Sequence, residues 1–137
     1  MLNQVSDLIA ADAKSVAGLT IILMKPQYDP EPDLYCLKIV LKSGAHFKCD
    51  LLPREQILEI LDDTRKIFTD LVKISETVYA EPRSIAGFNV VAQDRGHYAL
   101  KIVMKSGAHF LCDAVSFEEA QKHAVKTFMM VNRAIPE

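Results

Sequence analysis

The chain has 137 residues, half of them apolar, with a formal charge of −2 and three cysteines. That length and apolar content suffice for one hydrophobic core, so a single compact domain over residues 1–137 is expected and a disordered chain is excluded. An odd cysteine count without C-x-x-C spacing argues against a disulfide framework or a structural zinc site, and the near-neutral charge has no basic block to meet nucleic acid.

In chain order, Leu2, Val5, Leu8, Ile9 and Ala13 recur at helical spacing, which predicts an amphipathic N-terminal helix over residues 1–13. A strand from Leu19 to Met24 follows, then a loop holding Pro26, Pro30 and Pro32, a hairpin from Tyr35 to Leu51, and a helix opened by Pro53. The apolar stripe of that helix, from Ile57 to Val72, predicts that it runs to about Ile74. The same order returns: a strand from Phe88 to Ala92, a shorter loop around Gly96, a hairpin from Tyr98 to Ala114, and a helix whose Ser116 and Glu119 have capping-box spacing.

This recurrence is written into the residues. YCLKIVLKSGAHFKCD from Tyr35 to Asp50 and YALKIVMKSGAHFLCD from Tyr98 to Asp113 are identical at thirteen of sixteen positions, and SVAGL at Ser15 to Leu19 matches SIAGF at Ser84 to Phe88. The expected fold is therefore α+β: an N-terminal helix followed by two tandem βββα repeats (14–75 and 83–133), antiparallel sheet with helices packed on one side, and a pseudo-two-fold axis relating the units.

Strand parity sets the hairpin geometry. Tyr35, Leu37, Ile39 and Leu41 point one way with Ala45, Phe47, Cys49 and Leu51, and this apolar set should face the core. Only an odd-numbered loop pairs Leu41 with Ala45 and Ile39 with Phe47, so Lys42-Ser43-Gly44 should be a three-residue turn with Gly44 left-handed, repeated at Lys105-Ser106-Gly107. Cys36 should then point outward and Cys49 and Cys112 inward.

The outward face carries the candidate binding residues Lys38, Val40, His46 and Asp50, matched by Lys101, Val103, His109 and Asp113. Packing accounts for Phe47 and Phe110; it accounts less well for the identity of outward His46 and His109, which makes these histidines the leading functional candidates. A strand separates His46 from Cys49 onto opposite faces and holds His46 about 13 Å from Asp50, so neither a cysteine nucleophile nor a metal site forms within one hairpin. The glycines lack the spacing of a phosphate loop. No cofactor or metal is expected.

The order αβββα is superficially similar to that of double-stranded-RNA-binding domains. Those domains start their last helix with lysines, where Ser116-Phe117-Glu118-Glu119 is acidic here. The expected function is non-catalytic binding, as in inhibitory, immunity or adaptor proteins, of a protein partner or a small polar or anionic ligand through the hairpin faces. An enzyme drawing Lys, His and Asp from both hairpins is the alternative, and a nucleic-acid-binding protein the second. The apolar last helix, with Met129 and Met130, makes a homodimer the candidate assembly. With no basic and apolar leader at Met1 and no apolar run near the ~18 residues of a membrane span, the expected location is cytoplasmic.

Overall fold

The computed structural model describes residues 2–6, 9–25 and 32–134. Among these, ten strands form three antiparallel sheets accompanied by two α-helices. The chain opens not with a helix but with a hairpin of β1 (Leu2–Ser6) and β2 (Ile9–Asp12); Leu8 of the expected helical stripe lies outside the described residues. A helix of that length is marginal by itself, so tertiary packing decides its form. As a hairpin the segment brings Val5 and Ala11 against the first core.

Next come β3 (Val16–Lys25), β4 (Leu34–Leu41), β5 (His46–Pro53) and α1 (Arg54–Arg65). The helix expected to run to Ile74 stops nine residues earlier. The apolar residues beyond it instead fill a turn, where Phe68 is buried, and the strand β6 (Val72–Ser75). β6 and β7 (Val78–Ala80) extend the first sheet, whose order is β5-β4-β3-β7-β6. β8 (Ile85–Ala92), β9 (Tyr98–Met104) and β10 (His109–Leu111) form the second sheet in the order β10-β9-β8, and α2 (Phe117–Ala134) ends the fold.

Corresponding parts of the chain make the same bonds. Leu37 faces Cys49, Ile39 faces Phe47 and Val40 faces His46 across the first hairpin; Ile102 faces Phe110 and Val103 faces His109 across the second. Gly44 and Gly107 close their turns at φ 93° and 95°, a backbone region costly to other residues. The correspondence reaches further upstream than SVAGL and SIAGF. Asn3↔Ala11, Gln4↔Ala10 and Ser6↔Ile9 in β1–β2 repeat as Val72↔Ala80, Lys73↔Tyr79 and Ser75↔Val78 in β6–β7. Ser15 Oγ donates to Asp12 at 3.1 Å and Ser84 Oγ to Glu81 at 2.9 Å, while the Lys42 and Lys105 amides donate to the Ser15 and Ser84 carbonyls, each at 2.8 Å.

The first sheet is covered on both faces. One face packs Leu19, Leu37 and Ile39 against Leu61 of α1, Phe68 and Leu71. The other packs Ala17, Val40, Val78 and Ala80 against Leu100, Ile102, Met104 and Phe110 of the second sheet, with Met130 and Val131 of α2 at the margin. Neither the helices on one side nor the open hairpin faces expected from parity survive: Val40 is fully buried and Cys36 is 3% exposed. Alternation along a strand separates two faces without saying what covers the second.

The pseudo-two-fold fails on the contact between the sheets. The Phe110 ring lies on the backbone of Gly18, where an added Cβ would come within 2.4 Å of its Cζ. A two-fold axis would put Phe47, the counterpart of Phe110, on Gly87, the counterpart of Gly18. Gly87 has nothing within 4 Å of such a Cβ, and Phe47 is 41% exposed although parity placed it in the core. Unlike faces meet, so the halves stack head to tail.

Candidate functional site

The two tight turns come together where the second sheet rides over the first. A Cβ on Gly44 would lie 3.4 Å from Ser106 Cβ. Beside this contact runs an open groove of about 490 Å³, walled by Ser43 and Gly44 of one turn and Ser106, Gly107 and Ala108 of the other. Lys38, Val40, His46 and His109 complete its lining, and among the described residues no carboxylate belongs to it.

Parity within the first hairpin explains how the groove acquires its basic side chains. Lys38 pairs with Lys48 and Val40 with His46, so all four share the face that turns toward the second sheet. Val40 sinks into the core, and Lys38, half-buried, and His46, exposed, remain at the rim. His109 reaches the rim from the edge strand β10; it also borders a smaller cleft of about 250 Å³ shared with Thr20, Ile22, Lys38 and Phe110. The turn serines are occupied locally, since Ser43 Oγ and Ser106 Oγ each accept an amide two residues on, from Ala45 and Ala108, at 3.3 Å.

The eight residues singled out from the sequence thus divide. Lys38, Val40, His46 and His109 meet at one groove, although Val40 contributes mainly to packing. Lys101 and Val103 are half-buried on the far face of the second sheet, away from it. Asp113 accepts a hydrogen bond from Arg54 Nη2 at the start of α1, a tie between the halves rather than a group facing a ligand. The Asp50 side chain lies outside those described. Neither the role of Arg54 nor the meeting of the two turns follows from strand parity. Their shared KSGAH string was the available signal, because it repeats residues that the turn geometry alone does not require.

The electrostatics around the thiols are those of packing. Burial raises the Cys36 thiol, opposed by Lys48 and Lys38; burial pushes the Cys112 thiol up to about 11, with Ser75 opposing and Asp113 adding to the rise. Neither is poised as a nucleophile. For Arg54, burial lowers the pKa, but the hydrogen bonds and charges of Asp113 and Tyr35 together outweigh it and leave the guanidinium raised. It also lies 5.6 Å over the Tyr35 ring, the place that Phe117 takes against Tyr98 in the second half, with ring centroids 5.0 Å apart. Among the described residues no three His, Cys, Asp or Glu side chains converge as a metal site, and no helix is long and apolar enough to cross a membrane. No family model, curated protein or solved structure matches the chain.

Proposed function

We propose that this chain is a non-catalytic binding protein whose ligand is a small anion, or a ligand with an anionic group, seated in the groove between the two hairpin turns. One observation carries the reading: the groove is bordered by Lys38, His46 and His109, and among the described residues no carboxylate lines it. Cationic and polar groups around a concavity of this size suit a small polar ligand. The Lys38–Lys48 pair places like charges opposite each other, an arrangement that a bound anion relieves. Binding is favoured over turnover because among the described residues the lining offers neither imidazole a carboxylate to orient it as a base, and both serine hydroxyls already accept amides.

The test is a two-dimensional NMR titration with pyrophosphate and with citrate at matched ionic strength. Shifts should concentrate at Ser43–His46 and Ser106–His109 and should disappear in Lys38→Ala/His46→Ala. Shifts spread evenly over surface lysines, or unchanged in that variant, would refute the groove.

A further inference from the structure

The contact that joins the two halves leaves one complementary half of itself at each end of the molecule. Inside the chain it has two parts. Phe110 packs on the bare backbone of Gly18, and β7 adds to the edge of β3 with Gly18↔Ala80, Leu19↔Tyr79 and Thr20↔Val78. Each residue in that contact has a counterpart. Phe47 matches Phe110 at the same position opposite an isoleucine, Gly87 matches Gly18 at the same bulge, and β1–β2 matches β6–β7 in register.

Among the described residues these counterparts make no such contact with each other. Phe47 is 41% exposed where Phe110 is 1% exposed, and its neighbour Leu51 is 48% exposed. Gly87 faces open space. Among the described residues β8 pairs only with β9, and β2 only with β1, which leaves two unpaired strand edges. The donor surface is on the first half and the acceptor surface on the second, so neither can satisfy the other within one chain already stacked head to tail.

We propose that a second copy of this chain completes the contact: the first half of one copy docks on the second half of another, with Phe47 on Gly87 and β2 added to the free edge of β8. By the internal register Ala11 would face Gly87, Ala10 would face Phe88 and Ile9 would face Asn89. The interface continues one already present in the molecule and buries an aromatic ring against a glycine placed to receive it. Because unlike surfaces meet, the association is heterologous and closes into a ring or propagates as a filament according to the rotation per step. Completion would also cover Val103, half-buried in the single chain, as Val40 is covered now. This inference stands independently of any ligand in the groove.

The experiment is sedimentation equilibrium from micromolar to millimolar concentration on the wild-type chain, Gly87→Leu and Phe47→Asp. Wild type should sediment at two or more times its 15.3 kDa. Both variants should sediment at the single-chain mass while keeping the wild-type circular dichroism, since Phe47 is exposed and a side chain on Gly87 would enter open space in the single chain. If Gly87→Leu fails to fold, Gly87→Ala serves, because one methyl at the corresponding Gly18 would already overlap the ring. A wild-type chain at the single-chain mass throughout overturns the proposal. So does a wild-type assembly that keeps its mass when Gly87 is substituted, as it would if two Phe47 faces met symmetrically.

Discussion

Gly18→Ala is the sharpest probe of how the halves stack. Gly18 has no positive φ, so alanine suits the backbone, and in open space the change would stabilise by about 0.4–1 kcal/mol through the unfolded chain. Here the new methyl would lie 2.4 and 2.7 Å from two atoms of the Phe110 ring and 2.9 Å from the Tyr79 carbonyl oxygen. Phe110 is fully enclosed and the carbonyl belongs to the paired strand β7, so neither can simply swing away. Overpacking of this kind costs about 1–3 kcal/mol, so central values leave a net loss of about 1 kcal/mol, and of about 2.5 kcal/mol at most. Urea unfolding should show a lower midpoint at unchanged slope. Phe110→Leu, which withdraws the ring, should destabilise alone but offset part of the Gly18→Ala loss, with a coupling of about 1 kcal/mol in the double variant. A Gly18→Ala midpoint at or above wild type, or strict additivity with Phe110→Leu, would refute the packing.

Two further outcomes follow from the thiols. A maleimide applied to the native chain should label half-buried Cys49 first and reach Cys36 and Cys112, each 3% exposed, only on unfolding; rapid native labelling at Cys36 would contradict the cover over that face. Because Cys112 is raised from 9.0 to about 11, its buried thiol holds its proton where the unfolded chain has lost it. Stability should therefore be complete below pH 9 and fall as pH rises toward 11, by on the order of 3 kcal/mol. Cys112→Ala should show a shallower fall over that window, and an identical fall would remove Cys112 as its cause.

Much of the local structure was legible because it depends on neighbours in sequence. Parity and loop length set the pairing of Ile39 with Phe47, glycine chemistry set the turns at Gly44 and Gly107, and Ser116 Oγ does accept the Glu119 amide at the start of α2. What stayed hidden depends on contacts between distant segments. Leu2, Val5 and Ile9 fit a helical stripe as well as a hairpin, and only the alignment of Val5, Ser6, Ala11 and Asp12 with Ile74, Ser75, Ala80 and Glu81 reveals the strand reading. The run from Ile67 to Ile74 likewise continues a helical period, while β6 and β7 gain their stability by joining β3. At the candidate site, the face shared by Lys38 and His46 could be read from alternation. Its meeting with His109 could not, because it depends on how one sheet lies across the other.

The head-to-tail stacking can be tested directly by following the α-protons of Gly18 and Gly87 in a nuclear Overhauser spectrum. At the lowest workable concentration, Gly18 should show cross-peaks to the Phe110 ring and an upfield ring-current shift, and Gly87 should show neither. As concentration rises, Gly87 should acquire the same shift together with cross-peaks to Phe47 of another chain. Contacts from Gly87 to Phe47 within a single chain, or a Gly18 without contact to Phe110, would contradict the account.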